Sequence, residues 1–336
     1  MRIAILSPIA WRTPPLNYGP WEQVASNLAE GLVKKNIDVT LFATGNSITA
    51  GKLQSASHEG YAENPEIDPK VWECLHISNL MEQAGKFDLI HNHFDFLPLT
   101  YSGLIKTPML TTIHGFSSEK IVPVYKKYNS TNAFVSISNS DRHPDLDYLG
   151  TVYNGINPDQ FTFQKKPQDY LLFFGRIHPE KGTYESIEIA KKAGRKLIIS
   201  GLIQDQEYFD RKVKPSIDGN SVVYVGNSGP KERNKLLGEA AALLHPISFS
   251  EPFGLSVAEA MMCGTPVIAF SLGSMPELIQ DGQSGFLVNT IEEAATAVDN
   301  LSHIKRENCR THALAKFSKN TMTDNYLRLY RKLLKR

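Results

Sequence analysis

Short apolar segments alternate along the whole chain with longer segments in which apolar residues recur at helical spacing. This alternation is typical of parallel β-sheets with helices on both faces. The predicted strands of the first half are Arg2–Leu6, Val39–Thr44, Leu89–Asn92, Met109–Ile113, Ala133–Ile137 and Thr151–Tyr153. Those of the second half are Leu171–Phe174, Leu197–Ser200, Val222–Val225, Ala242–Leu244, Val267–Phe270 and Gly285–Val288. Because the two sets are alike, we predict two Rossmann-like α/β domains.

The pattern is interrupted near the middle of the chain, at Asn157–Gln168, where prolines and lysines separate two predicted strands. We therefore predict a first domain over 1–158, a second over 159–318, and a carboxyl-terminal helix within 319–336. Its basic face is typical of a solvated surface, and weak peripheral membrane contact is the alternative. That face comprises Arg328, Arg331, Lys332, Lys335 and Arg336.

Composition and charge exclude several classes of protein. With 336 residues, 41 % of them hydrophobic, the chain is long enough for two cores. A net charge of +1 gives no overall field for a polyanion, so nucleic acid is not an expected partner. The apolar run at the start is too short for a signal peptide, which predicts a cytoplasmic protein. Cys74, Cys263 and Cys309 lack metal-ligand spacing and are predicted to be packed, reduced thiols.

The most informative segment follows the predicted strand Ala242–Leu244 and contains two carboxylates. Glu251 falls in a loop at the carboxyl end of that strand, where open α/β sheets bind ligands. A helix that begins near Gly254 presents free backbone N–H groups and the positive end of its dipole, which suit a phosphate. Glu259 lies within this mostly apolar helix and needs a polar partner, such as ribose hydroxyls.

Two further strand ends carry candidate chemistry. Arg176 and Lys181 occupy the first strand-to-helix turn of the second domain, where an Arg and a Lys can converge on a diphosphate. His114 follows the predicted strand Met109–Ile113 and is adjacent to a glycine that permits a tight turn. His91 and His93 have no third residue at metal-ligand spacing, so we interpret His91 as structural and place His93 on the acceptor side.

The first strand-to-helix turn, Ser7–Glu22, contains three aromatic residues. Trp11, Tyr18 and Trp21 offer flat apolar faces for stacking against a sugar, and core packing is the equal alternative. Pro20 suits the first position of a helix, which leaves Gly19 facing a phosphate or an acceptor.

These segments together resemble the retaining glycosyltransferases of family 4. Glu-Pro-Phe-Gly-Leu, Glu-Ala-Met and Gly-Thr-Pro-Val-Ile-Ala occur in order around the Glu-x7-Glu spacing of Glu251 and Glu259. The segment that runs from Gly175-Arg176-Ile177 to Lys181-Gly182 resembles the family's Gly-Arg-Leu…Lys-Gly motif. Two positions depart from the family pattern, since Gly19-Pro20 replaces a Gly-Gly pair and Ser274 replaces a second glycine.

The resemblance implies a GT-B fold, in which two Rossmann-like domains face each other across a cleft. It also implies that the carboxyl-terminal helix within 319–336 packs back on the first domain. It implies that Arg176 and Lys181 neutralise a departing nucleoside diphosphate and that Glu251 holds hydroxyls of the donor sugar. It also implies that Glu259 binds the ribose, while His114 touches the donor sugar from the first domain. The remaining residues assigned to donor binding are Gly19, Phe253, Gly254 and Leu255, and those assigned to the acceptor side are Trp11, Tyr18 and His93.

We therefore expect a retaining transferase that uses neither a metal ion nor a cofactor beyond its nucleotide-sugar co-substrate. The expected donor is a UDP- or GDP-sugar, and the expected acceptor is a hydroxyl of a saccharide, a lipid-linked sugar or a small molecule. A sugar-nucleotide epimerase or a phosphorylase on the same fold is the nearest alternative. A two-lobed, non-catalytic sugar-binding protein is the alternative from outside the enzymes.

Overall fold

The computed structural model describes residues 1–116 and 118–335, so Arg336 of the predicted basic face lies outside the described residues. The chain forms two compact units, each with its own parallel β-sheet. The first unit contains Met1–Gly155 and the segment from Lys319 onward, and the second contains Ile156–Ser318.

The sheet of the first unit has seven strands in the order β3-β2-β1-β4-β5-β6-β7, and every pairing is parallel. Its strands are β1 Arg2–Leu6, β2 Asp38–Phe42, β3 Lys52–Gln54, β4 Leu89–Asn92, β5 Met109–Ile113, β6 Ala133–Ser136 and β7 Tyr148–Thr151. The strand order reverses between β1 and β4, so the loops that follow these two strands diverge and leave room for a ligand.

The sheet of the second unit has six parallel strands in the order β10-β9-β8-β11-β12-β13. Its strands are β8 Tyr170–Phe174, β9 Lys196–Ser200, β10 Val222–Tyr224, β11 Ala242–His245, β12 Val267–Phe270 and β13 Gly285–Val288. Here the order reverses between β8 and β11, the two strands that precede the predicted diphosphate and Glu-x7-Glu segments.

Helices connect the strands and cover the sheets. In chain order they are α1 Pro20–Lys34, α2 Pro69–Met81, α3 Val122–Tyr128, α4 Thr183–Lys192, α5 Gln206–Tyr208, α6 Pro230–Glu239, α7 Leu255–Met262, α8 Met275–Leu278, α9 Ile291–Asp299, α10 Arg306–Phe317 and α11 Lys319–Leu334. Several begin at recognisable caps: the Asp68 side chain accepts from the Val71 N–H before α2, and Thr290 accepts from Glu293 before α9. Among the described residues, no helix combines the length and apolar character needed to cross a bilayer.

The prediction of two parallel α/β sheets is confirmed, with differences at two strands and one cysteine. The strand β3 was not predicted, and β7 begins at Tyr148, earlier than the predicted strand from Thr151. Cys263 and Cys309 are buried free thiols, but Cys74 is exposed, so the prediction that it is packed is wrong. Cys74 lies on the outer face of α2, a helix with few buried residues.

The last helix completes the first unit. Tyr326 and Tyr330 of α11 are fully buried in this unit, and an ion pair of 2.8 Å joins Lys35, directly after α1, to Asp324. The opposite face of α11 carries Arg328, Arg331 and Lys332, which are exposed, as is Lys335 directly after the helix.

Candidate functional site

Lys181 and Glu251 meet at the carboxyl edge of the second sheet. Because β8 and β11 are parallel neighbours, the loops after them emerge at the same edge. The Lys181 ammonium donates a hydrogen bond to Glu251 Oε2, and both side chains are mostly shielded, at 14 % and 12 % exposure. The structure therefore brings together a cation and a carboxylate that the sequence placed 70 positions apart.

Gly182 allows this approach. The short 3-10 turn Pro179–Lys181 ends at Gly182, whose φ of 73° lies in the left-handed region. A Cβ at this position would lie 2.0 Å from the carbonyl oxygen of Pro246, which follows β11. The Ser248 N–H donates to the Glu180 carbonyl at 2.9 Å and holds the two loops together. A residue without a side chain is thus required for Lys181 to reach Glu251.

The Glu251 carboxyl is ionised at neutral pH. Burial by itself raises its pKa, but the neighbouring His245 and the charge of Lys181 outweigh burial and lower the pKa to about 2. His245 Nε2 lies 3.7 Å from Glu251 Oε2, and the Lys181 Nζ lies 4.5 Å from the centre of the Phe249 ring. The result is a shielded carboxylate that accepts hydrogen bonds.

Ser274 holds the loop between Glu251 and α7. Its backbone N–H donates to the Glu251 carbonyl at 3.0 Å, and its hydroxyl donates to the Phe253 carbonyl at 2.7 Å. The Phe253 ring is buried edge-to-face against Phe317, at 5.8 Å between centroids, so its side chain belongs to the core. Gly254 then precedes the first residue of α7, Leu255, as the sequence predicted. Ser274, which replaces a glycine of the family pattern, thus supplies a hydroxyl that supports this loop.

Arg176 occupies the same edge of the sheet, but its side chain turns to the loop after β9. There its guanidinium donates a hydrogen bond to the Gln204 side-chain oxygen. The predicted convergence of Arg176 and Lys181 on a diphosphate stays a prediction, and Gln204 is a partner that the sequence did not indicate.

Glu259 has an arginine as its polar partner. It is 6 % exposed, and its Oε1 lies 3.3 Å from the Arg233 guanidinium on α6. Burial raises the pKa of Glu259, and Arg233 opposes that effect. Arg233 itself lies 5.4 Å from the centre of the Phe161 ring. The sequence indicated that Glu259 needs a polar partner, but it did not indicate Arg233. Helix α6 is strongly polar, so its sequence pattern does not show which of its cations points inward.

In the first unit, two predicted site residues form a histidine pair. His93 and His114 follow the neighbouring parallel strands β4 and β5. His93 Nδ1 lies 2.9 Å from His114 Nε2. His93 is fully buried and His114 is 8 % exposed, and the ring of Trp21 stacks on His114 at 5.5 Å. Burial lowers the pKa of His114 to about 3 and that of His93 well below its usual value, so both rings are neutral at pH 7.

His91 lies beneath this pair and is held at both ring nitrogens. Its Nδ1 is 2.6 Å from the Tyr330 hydroxyl, and its Nε2 is 2.7 Å from the Thr112 hydroxyl. The Thr112 hydroxyl in turn lies 2.7 Å from the Tyr326 hydroxyl. These contacts give His91 a structural role and connect the β4–β5 edge to helix α11.

The turn after β1 is held by a buried carboxyl that sequence reasoning missed. Glu22 is 3 % exposed and accepts a hydrogen bond from the Trp11 N–H at 3.3 Å. Burial raises the pKa of Glu22 to about 7. The Trp11 and Tyr18 rings meet edge-to-face at 6.2 Å, and α1 begins at Pro20 directly after Gly19, as predicted. The acceptor-side assignments of Trp11 and Tyr18 stay predictions, and His93, which has no exposed surface, can act on that side only through a neighbouring side chain.

Within residues 1–116 and 118–335, no three His, Cys, Asp or Glu side chains are grouped so that they could hold a metal ion.

Comparison with known proteins identifies the family. The family model described as Glycosyltransferase Family 4 matches residues 21–160, and the model described as Glycosyl transferases group 1 matches residues 157–321. An uncharacterised 41.2 kDa protein in the cps region of Klebsiella pneumoniae is 29 % identical over 289 residues, which cover 74 % of this chain and 79 % of that protein. A GDP-mannose:cellobiosyl-diphosphopolyprenol alpha-mannosyltransferase of Komagataeibacter xylinus is 26 % identical, with 76 % of this chain and 74 % of the relative covered.

Solved structures of low sequence identity share the fold. Sucrose-phosphate synthase from Thermosynechococcus elongatus superposes with a TM-score of 0.79 at 19 % identity and covers 99 % of both chains. HepE of Anabaena, in complex with UDP-glucose, gives a TM-score of 0.73 at 18 % identity, again over 99 % of both chains. These likenesses confirm the predicted pair of Rossmann-like domains of the GT-B type. The two adjoining family matches show that the chain belongs to the family-4 glycosyltransferases and is an enzyme of sugar transfer.

Proposed function

We propose that this glycosyltransferase moves a sugar from a nucleoside diphosphate sugar to an acceptor hydroxyl with retention of configuration and without a metal ion. The second unit binds the donor, and the first binds the acceptor. The observation that carries the proposal is the shielded Lys181–Glu251 pair beside the start of α7, at the carboxyl edge of β8 and β11.

The chemistry needs positive charge where the diphosphate departs. When the bond from the sugar to the phosphate oxygen breaks, negative charge develops on the diphosphate, and preorganised cations and N–H groups stabilise it. Lys181 supplies a compact cation, the start of α7 supplies N–H groups, and Arg176 supplies a planar fork. Three such donors at one edge of a sheet perform the role that a divalent metal ion has in other transferases.

The state of Glu251 supports sugar binding. A carboxylate whose pKa is lowered to about 2 and which is bonded to Lys181 is a weak base, so it is poorly suited to accept the proton of the attacking hydroxyl. It is well suited to accept hydrogen bonds from donor-sugar hydroxyls, and its contact with Lys181 places the sugar beside the diphosphate. The departing phosphate oxygen then takes the acceptor proton on the same face of the sugar, which retains the configuration.

The names of two related proteins support the donor and acceptor classes. The Komagataeibacter relative uses GDP-mannose and a diphosphopolyprenol-linked acceptor, and the Anabaena protein binds UDP-glucose. We propose a UDP- or GDP-sugar as donor, and a saccharide, a lipid-linked sugar or a small hydroxyl compound as acceptor. A thermal-shift screen of these nucleotides and their sugars identifies the donor, since a ligand at 100 times its Kd stabilises the fold by about 2.7 kcal/mol.

The proposed function predicts the stereochemistry of the first-formed product. With an α-linked nucleotide sugar, the new glycosidic bond will be α, and it will form in the presence of excess EDTA. Proton NMR of the product, recorded before any anomeric equilibration, measures the configuration. A β-linkage would refute the front-face mechanism while leaving the transferase assignment intact, and a reaction that stops in EDTA and resumes with Mg²⁺ would refute metal independence.

Glu259→Gln tests the ribose contact. A bond to the ribose is present in the ground state and in the transition state, so its loss raises KM for the donor by about tenfold and changes kcat little. Initial rates over a range of donor concentrations separate the two parameters. The matched control is Glu232→Gln on the exposed face of α6, which leaves both parameters unchanged.

Glu259→Gln also leaves Arg233 without its carboxylate partner, so unfolding curves accompany the kinetics. A folded Glu259→Gln protein with unchanged donor KM would show that Glu259 serves only to pair with Arg233.

A further inference from the structure

We infer that His93 is a positioning residue that sets the tautomer of His114, so that His114 offers a hydrogen-bond donor, Nδ1–H, to a sugar oxygen. This inference rests on the proposed function, because it takes His114 to be the residue that contacts the sugar.

The contact between the two rings leaves His114 one free nitrogen. His93 Nδ1 lies 2.9 Å from His114 Nε2, within hydrogen-bonding distance. His114 Nε2 is therefore occupied by a protein partner. Nδ1 is the ring nitrogen that remains for a ligand, and the protonation of the His93–His114 contact decides whether that nitrogen donates or accepts.

Both imidazoles are neutral, so each carries one N–H, and two arrangements are possible. In the first, His93 donates from Nδ1 to His114 Nε2, and the His114 proton resides on Nδ1. In the second, His114 donates from Nε2, and the His93 proton resides on its own Nε2. The two arrangements present opposite groups to the ligand.

The surroundings of His93 Nε2 distinguish the two. This atom is buried and has no hydrogen-bond partner among the described residues. In the first arrangement it is an unpaired acceptor, whereas in the second it is a buried N–H without an acceptor. Among buried backbone groups, orphaned N–H donors are rarer than under-satisfied carbonyl acceptors, and we extend that order to the imidazole nitrogens. The unpaired Nε2 therefore favours donation from His93 Nδ1, and with it the Nδ1–H form of His114.

Packing keeps His93 in this orientation. Its ring lies 4.1 Å from the ring of His91, measured between centroids, and His91 is itself fixed by Tyr330 and Thr112. Trp21 stacks on the His114 ring with an interplanar angle of 20°. His93 has no exposed surface. A side chain so enclosed acts through its neighbour, which is what a positioning residue does.

Two amide substitutions at the same position test the contact. The amide nitrogen of asparagine can take the place of imidazole Nδ1, whereas that of glutamine reaches the place of Nε2. His93→Asn should therefore keep kcat/KM within about threefold, and His93→Gln should lower it by about tenfold, the effect of one lost hydrogen bond. In a His114→Ala background neither substitution should change the rate further, because His93 acts only through His114.

The tautomers are measured directly on the whole 336-residue chain with ¹⁵N-labelled histidine. Long-range proton–nitrogen NMR spectra, assigned by transfer from the backbone, should show His93 and His114 both protonated at Nδ1. A His114 ring protonated at Nε2 would overturn the inference, as would equal rates for the asparagine and glutamine variants with unfolding midpoints alike. Because the spectra need no substrate, an enzyme without the proposed activity would refute the function and leave the tautomer result standing.

Discussion

Lys181→Met should lower turnover by about 10² or more, because it removes a cation that the proposed mechanism uses to stabilise the leaving group. The expected loss is in kcat at saturating donor, since charge on the diphosphate develops as the bond breaks. The same substitution at Lys191, an exposed lysine of α4 paired with Glu188, serves as the control and leaves turnover unchanged.

A second variant separates catalysis from stability. Lys181→Met leaves Glu251 shielded without its partner, which destabilises the fold. The double variant Lys181→Met/Glu251→Gln removes both charges and should recover most of the free energy of unfolding without recovering turnover. Near-normal turnover in a folded Lys181→Met protein would show that the diphosphate is stabilised elsewhere.

Gly182→Ala is expected to destabilise the protein and to reduce its activity together. The left-handed backbone costs alanine about 1–2 kcal/mol, and overpacking against the Pro246 carbonyl costs roughly 1–3 kcal/mol more. Urea unfolding measures the sum. Relief of the clash requires the turn Pro179–Lys181 to move away from the loop after β11, so kcat should fall as well.

Gly194→Ala is the matched control for this prediction. Gly194 has a φ of 61°, and no described atom outside its own local backbone and chain neighbours lies within 4 Å of the position its Cβ would take. Alanine there carries the conformational cost alone, about 1–2 kcal/mol, and leaves turnover unchanged. Equal losses of stability in the two variants would contradict the requirement for close approach at Gly182.

The strands that the sequence predicted best are those buried on both faces. Leu171–Phe174 and Val267–Phe270 are continuous apolar runs because helices cover both sides of a parallel sheet. The edge strand Lys52–Gln54 is partly exposed and mostly polar, so it gave no such run. β7 was misplaced because its pairing with β6 is irregular, with a register shift between Phe134 and Val135.

The candidate site was predictable in its loops but not in its contacts. The carboxyl ends of parallel strands meet at one edge, so the neighbourhood of Lys181 and Glu251 followed from the strand pattern. The hydrogen bond between Lys181 and Glu251 depends on the adjacency of β8 and β11. The hydrophobic pattern of each strand does not reveal the order of the strands in the sheet. The contact of Glu259 with Arg233 depends on which face of α6 turns inward. Because α6 is mostly polar, its sequence has no apolar stripe that would show which face is buried.

The route of the chain through the first unit sets the order in which the protein can be completed during synthesis. Tyr326 and Tyr330 belong to the unit that otherwise ends at Gly155, and the whole second unit is translated between these two segments. Until the ribosome has passed Tyr330, His91 lacks one of its two hydroxyl partners, and the surface that α11 covers stays open to water. The unit that emerges first is therefore the last to have all of its residues available for folding, after the nascent chain has already supplied every residue of the other.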